Sequence, residues 1–169
     1  MVTVLVRVVL LFFTLIAMII SFQKGNDFGA IALLLLLIFT IFDYFRSGTV
    51  WASFRYIRKG DFKLAEKHIK QTKKHKWLRV AHQASYHTVL GYIALHNNKL
   101  EEASTEFENS LSVGLKHVQD RLMAHLNLAS IYHRLKKPDA AKNALAEAKK
   151  FKVPGFDKEI KELTKRILN

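Results

Sequence analysis

Four histidines, His68, His75, His82 and His87, fall at short intervals near the middle of the sequence. Imidazoles so spaced are the side chains best able to hold a metal ion or move a proton at neutral pH. A metal site, however, recruits cysteines or carboxylates beside its histidines and needs partners behind the ligands to orient them. The chain has no cysteine, which excludes thiolate catalysis, disulfides and cysteine zinc centres. The histidines therefore read as solvated or groove-lining, with no metal and no cofactor expected. Nor is there a glycine-rich phosphate loop, a His-Glu-x-x-His helix, a nucleophile elbow or a pair of carboxylates placed for acid–base work, so no enzymatic activity is expected. Asp43, a lone carboxylate at the end of an apolar run, reads as an interfacial residue and not as a proton relay.

The remaining chemistry is attraction of anions. The chain carries 27 Lys and Arg against 14 Asp and Glu, a net charge of +13. Only Arg7, Lys24, Asp27, Asp43 and Arg46 precede Ser47, so the rest of the chain holds +12. Lys70, Lys73, Lys74, Lys76 and Arg79 form one dense basic surface, and Lys149, Lys150 and Lys152 a second. Such a field draws anionic lipid, nucleic acid or an acidic protein without selecting among them. Nucleic acid is the weaker candidate, because Trp77 is the only aromatic side chain interleaved with the first group.

The elements that position these residues begin with two apolar runs. Val2 to Phe22, broken only by Thr3, Arg7, Thr14 and Ser21, would rise roughly 31 Å as a helix. Phe28 to Phe45 follows after the polar turn Gln23-Lys24-Gly25-Asn26-Asp27. A signal peptide fits less well, because no Ala-x-Ala-type site follows and the second run begins almost at once. The pair is expected to be an integral, two-pass transmembrane hairpin. Arg46, Arg55, Arg58, Lys59 and Lys63 crowd the end opposite the turn, which places both termini and the following domain in the cytoplasm. A bacterial inner membrane is the expected bilayer, with other membrane subunits as further partners.

Beyond the hairpin three segments superpose. They are Gly60-Asp61-Phe62-Lys63-Leu64-Ala65, Asn98-Lys99-Leu100-Glu101-Glu102-Ala103 and Lys136-Lys137-Pro138-Asp139-Ala140-Ala141, whose last residues recur every 38 positions. Upstream of each alanine a second helical pattern places Ser53, Gly91 and Ala129 where two helices approach closely. Each unit is thus a helix pair. Phe156, Ile160, Leu163 and Ile167 then share one face of a last helix that would cap the array.

This pattern resembles the tetratricopeptide repeat family, with Leu90-Gly91, Ala103 and Phe107 in the second unit and Leu128-Ala129, Tyr132, Ala141 and Leu145 in the third. In the first unit Thr49 stands where the family usually has Trp, and Thr72 where it has Ala. The period exceeds the family's usual value of about 34 residues, which implies longer connectors near Lys76 and Lys116. The expected fold is all-α: a transmembrane hairpin over 1–46 (helices about 2–22 and 28–45), then a domain over 47–169. That domain would be an α-solenoid of three helix pairs, about 48–76, 82–115 and 120–153, with a capping helix at 156–168.

The resemblance implies a concave groove lined by the first helix of each pair. Its positions fall on Val50, Phe54, Ile57 and Arg58, on Ser85, Thr88, Tyr92, Leu95 and His96, and on Met123, Leu126, Ser130, His133 and Arg134. An apolar, aromatic wall with some basic residues suits a protein or peptide bearing hydrophobic anchors and negative charge. The alternative is that Phe54, Leu126 and their neighbours only pack in the core. Family members that clamp a C-terminal carboxylate use Lys, Asn, Asn, Lys and Arg at positions held here by Val50, Phe54, Val89, Met123 and Asn127, so such a clamp is not expected. The function implied is a membrane-anchored interaction scaffold, a subunit or assembly factor of a larger membrane complex. The alternative is a basic module at the membrane surface that binds nucleic acid or anionic lipid.

Overall fold

The computed structural model describes residues 4–72 and 75–168, and within them the side chains of all but residues 4–11, 40–48 and 77. Asp43, Lys73 and Lys74 therefore lie outside the described side chains. Among the described residues every regular element is helical: α1 (Val4–Gln23), α2 (Asp27–Arg58), α3 (Phe62–Ile69), a 3-10 turn (His75–Trp77), α4 (Val80–His96), α5 (Leu100–Val113), α6 (Val118–Arg134), α7 (Pro138–Lys149) and α8 (Asp157–Leu168). They fall into two compact units, Met1–Gly48 and Thr49–Asn169.

In the first unit the polar turn reverses the chain because Gly25 takes φ +69°, a left-handed conformation that costs glycine little. Its amide donates to Phe22 O at 3.0 Å and that of Asn26 to Ser21 O at 3.0 Å, closing the end of α1. Asn26 Oδ1 then accepts from Gly29 N at 3.0 Å and caps α2. A Cβ on Gly29 would stand 2.6 Å from Ser21 Oγ, so glycine is what permits this close approach.

The expectation of an integral two-pass membrane protein, with both termini and the repeat domain cytoplasmic, is overturned. No helix among the described residues is long and apolar enough to cross a membrane. Nor does α2 stop near Phe45: it runs unbroken to Arg58 and itself supplies the first helix of the first pair.

The second unit is built on one repeated turn. Gly60, Asn98 and Lys136, 38 positions apart, take φ +77°, +57° and +55°. In each case the next amide reaches back across the turn, Asp61 N to Tyr56 O, Lys99 N to Ala94 O and Lys137 N to Tyr132 O, all at 2.9 Å. These bonds satisfy carbonyls that a helix end would otherwise leave open. Asp61 caps α3 by accepting from Leu64 N at 3.0 Å, and Pro138 opens α7, where its missing N–H costs nothing. Ala65, Ala103 and Ala141 are fully buried, since only a methyl group fits where the two helices of a pair meet.

Two apolar clusters run through the unit. Val50, Ala65, Ile69, Leu78, Val89 and Ile93 join the first pair to α4. Phe107, Leu122, Leu128, Ile131, Leu145 and Ile167 belong to a larger cluster, against which Phe156, Ile160 and Leu163 of α8 also pack. The α3–α4 connector is anchored by Leu78, whose carbonyl accepts from Gln83 Nε2 at 2.8 Å. Between α5 and α6 only residues 114–117 intervene, so in the second unit the extra length of the period lies in the helices. The two departures from the family pattern meet each other: Thr49 Oγ1 and Thr72 Oγ1 hydrogen-bond at 2.7 Å.

Tyr132 of α6 donates its phenol O–H to Glu108 of α5. Burial first, and then this bond and the charge of Glu108, push its pKa up to about 12. A folded-state value above the unfolded one, near 10, means that the stabilisation is complete below about pH 10. It is lost as pH rises through about 12. With solvent screening at this partly exposed site, Tyr132→Phe costs about 1 kcal/mol at neutral pH. The gap between variant and wild type should close in urea titrations repeated at rising alkaline pH, and a pH-independent gap would refute the assignment.

Candidate partner-binding site

The expected groove residues sort by what the fold does with them. Thr88 and Leu126 are buried, and the Thr88 hydroxyl donates to Ala84 O at 2.9 Å inside its own helix. Val50 is likewise enclosed in the first cluster. Tyr92 is half-buried, its ring edge-on to Phe107 at 5.2 Å and its hydroxyl accepting from Asn127 Nδ2 at 3.4 Å. Burial raises the Tyr92 pKa, with the Asn127 hydrogen bond acting the other way.

Two further residues are held by the neighbouring unit. His96 stacks on Phe62 with ring centroids 3.9 Å apart, and Arg134 donates to the Asn98 side chain. In both cases a side chain at the end of a first helix reaches the turn region of the preceding pair. That leaves Arg58 and His133 exposed, with Ser130 half-buried and Phe54 half-buried against the first apolar cluster. Tyr92 and Asn127 show that the α4 and α6 walls are adjacent, whereas no described hydrogen bond or ring contact joins Arg58 to either.

The wall also has a member that the repeat pattern does not announce. Met123, Leu126 and Asn127 of α6 share a cavity of about 260 Å³ with Glu159, Glu162, Leu163 and Arg166 of α8. The last helix thus lines this cavity as well as closing the core. Its signal in the sequence is the polar stripe Glu159, Glu162, Arg166 at i, i+3 and i+7, beside the apolar stripe that marks the cap.

In the basic surface, Lys70 is paired with Glu66 at 2.7 Å, and this hydrogen bond holds the Glu66 carboxyl below its ordinary range. Lys76 and Arg79 are exposed. A second lysine group, Lys149, Lys161 and Lys165, borders a cavity of about 360 Å³ with Ile160 and Leu168. His68, His75 and His87 are engaged by rings and a carboxylate. His68 stacks on Tyr56, His75 on Tyr86, and His87 Nδ1 lies 2.7 Å from Glu106 Oε2. Burial pushes the pKa of His125, which lies against Phe151, down from its ordinary value. Among the described residues no three His, Asp or Glu side chains come together as a metal site.

No curated protein and no solved structure matches the chain. Residues 124–152 do match a known family, and they span most of α6, all of α7 and the chain just beyond it. The α6–α7 pair is a tetratricopeptide repeat.

Proposed function

We propose that the chain is a protein-interaction scaffold without catalytic activity, whose array holds a protein or peptide along the wall formed by the first helices and α8. The observation that supports this reading is the tetratricopeptide repeat at 124–152, a helix pair whose stacking with its neighbours makes an extended surface for another chain. The fold supplies a shape, and the ligand is chosen by surface residues. Here the side chains left open include Arg58, His133, Phe54 and Ser130, so the partner carries apolar anchors with negative charge near them.

The test is a quantitative crosslinking pull-down with the full chain, comparing wild type with a Phe54→Ala, Arg58→Ala, His133→Ala variant whose helicity is unchanged by circular dichroism. One specific protein should be lost from this variant and kept by a Lys70→Ala, Lys76→Ala, Arg79→Ala control. Retention of every partner would sink the proposal. So would recovery of nucleic acid alone with affinity falling steeply with salt, since that is the mark of phosphate neutralisation.

A further inference from the structure

Among the described residues, 13 of the 18 exposed large hydrophobic side chains lie between Phe12 and Phe39, whereas Ala30 is the only hydrophobic residue buried there. Between Phe12 and Phe39 the α1–α2 hairpin therefore buries almost nothing of its own, and an apolar surface of that extent requires a cover. Three features bear on what the cover is.

The hairpin presents both a projection and a recess. Phe28 stands 90 % exposed beside the turn. One helical turn further along α2, Ala30, Ile31 and Leu34 combine with Met18, Ile19 and Phe22 of α1 to line a cavity of about 460 Å³. A surface that carries knob and hole together is what an isologous two-fold contact needs, because each copy must offer what the other receives. The charges are also self-complementary. Lys24 and Asp27, both exposed and both on the turn, are the only charged residues from Phe12 to Phe39, so a two-fold contact can set Lys24 of each copy against Asp27 of the other. Finally, this stretch is electrically neutral in a chain of net charge +13, which makes it the place where two copies meet without mutual repulsion.

We infer that two copies of this chain pair through their α1–α2 hairpins, Phe28 of each seated in the apolar cavity of the other. The absence of cysteine makes Gln23→Cys, at an exposed position bordering the cavity, a unique site for a nitroxide label. Double electron–electron resonance on the labelled full chain should give a two-spin signal with one narrow distance. Light scattering of the unlabelled chain should give twice its 19.5 kDa mass. Phe28→Ser, with helicity retained, should abolish the dipolar signal. Lys24→Asp and Asp27→Lys should each weaken pairing about tenfold, and the double exchange should restore it. A single-spin signal with monomer mass overturns the inference, as does a signal from more than two spins or one that Phe28→Ser leaves intact. Single-spin protein bound to neutral phosphatidylcholine vesicles would overturn it by assigning the face to lipid.

Discussion

Phe107→Ala should lower the unfolding free energy by about 3–5 kcal/mol, the range for emptying a buried aromatic site. The ring is fully buried, sits edge-on to Tyr92 at 5.2 Å and belongs to the cluster shared by α4, α5, α6, α7 and α8. The loss combines the transfer of the ring with the cavity it leaves behind. Domains of this size are stable by about 5–15 kcal/mol, and the change therefore removes a large part of the total. Urea unfolding followed by circular dichroism measures it. A loss below about 1 kcal/mol would mean that the ring is not locked between the second and third pairs.

Enlarging the residue that faces this ring should be nearly as damaging, for the opposite reason. A Cβ on Gly91 would meet three carbons of the Phe107 ring at 3.1 Å. Gly91→Ala gains about 1 kcal/mol of helix propensity and loses a similar amount to the displaced ring, so its net effect is small. Gly91→Leu drives several more atoms into an occupied volume and should cost about 2–3 kcal/mol. Because both changes act on one contact, Gly91→Leu in a Phe107→Ala background should cost at least about 1 kcal/mol less than in the wild type. Strict additivity in that double-mutant cycle would show that helix and ring do not bear on each other.

These two residues also mark what a linear reading captures. The 38-residue recurrence of Ala65, Ala103 and Ala141 is a packing requirement written in residue size. Any partner helix close enough to form a pair must meet a methyl group there, so periodicity alone reveals the array. Pro138 and the turn residues ahead of it are legible for the same kind of local reason. The course of α2 is not. After Gly29 in its first turn, Gly48 is the only glycine before the first pair, and a helix carries one such residue at modest cost, so nothing local separates one run that continues from two that stop.

The site is less legible than the fold because its contacts cross between units. Thr88 and Leu126 sit at positions that face a groove in the repeat pattern, yet neighbouring helices close over them. His96 and Arg134 look like free cations on paper, and are committed to Phe62 and Asn98, 34 and 36 positions earlier in the chain. Apolar pairs repeat with the array and can be read from its period, whereas these polar partnerships occur once each. The contribution of α8 to the wall is of the same kind: the face that caps the core is apolar and periodic, and the face that borders the cavity with Asn127 is not.

The three turns at Gly60, Asn98 and Lys136 each close through a main-chain hydrogen bond of the same kind. Lys59, Asn97 and Lys137 stand on those turns with their side chains in solvent. They are attachment points 38 and 40 positions apart, where a dye, an affinity handle or a surface tether can be placed. A chain immobilised through those side chains would keep the main-chain bonds of its repeat framework unaltered.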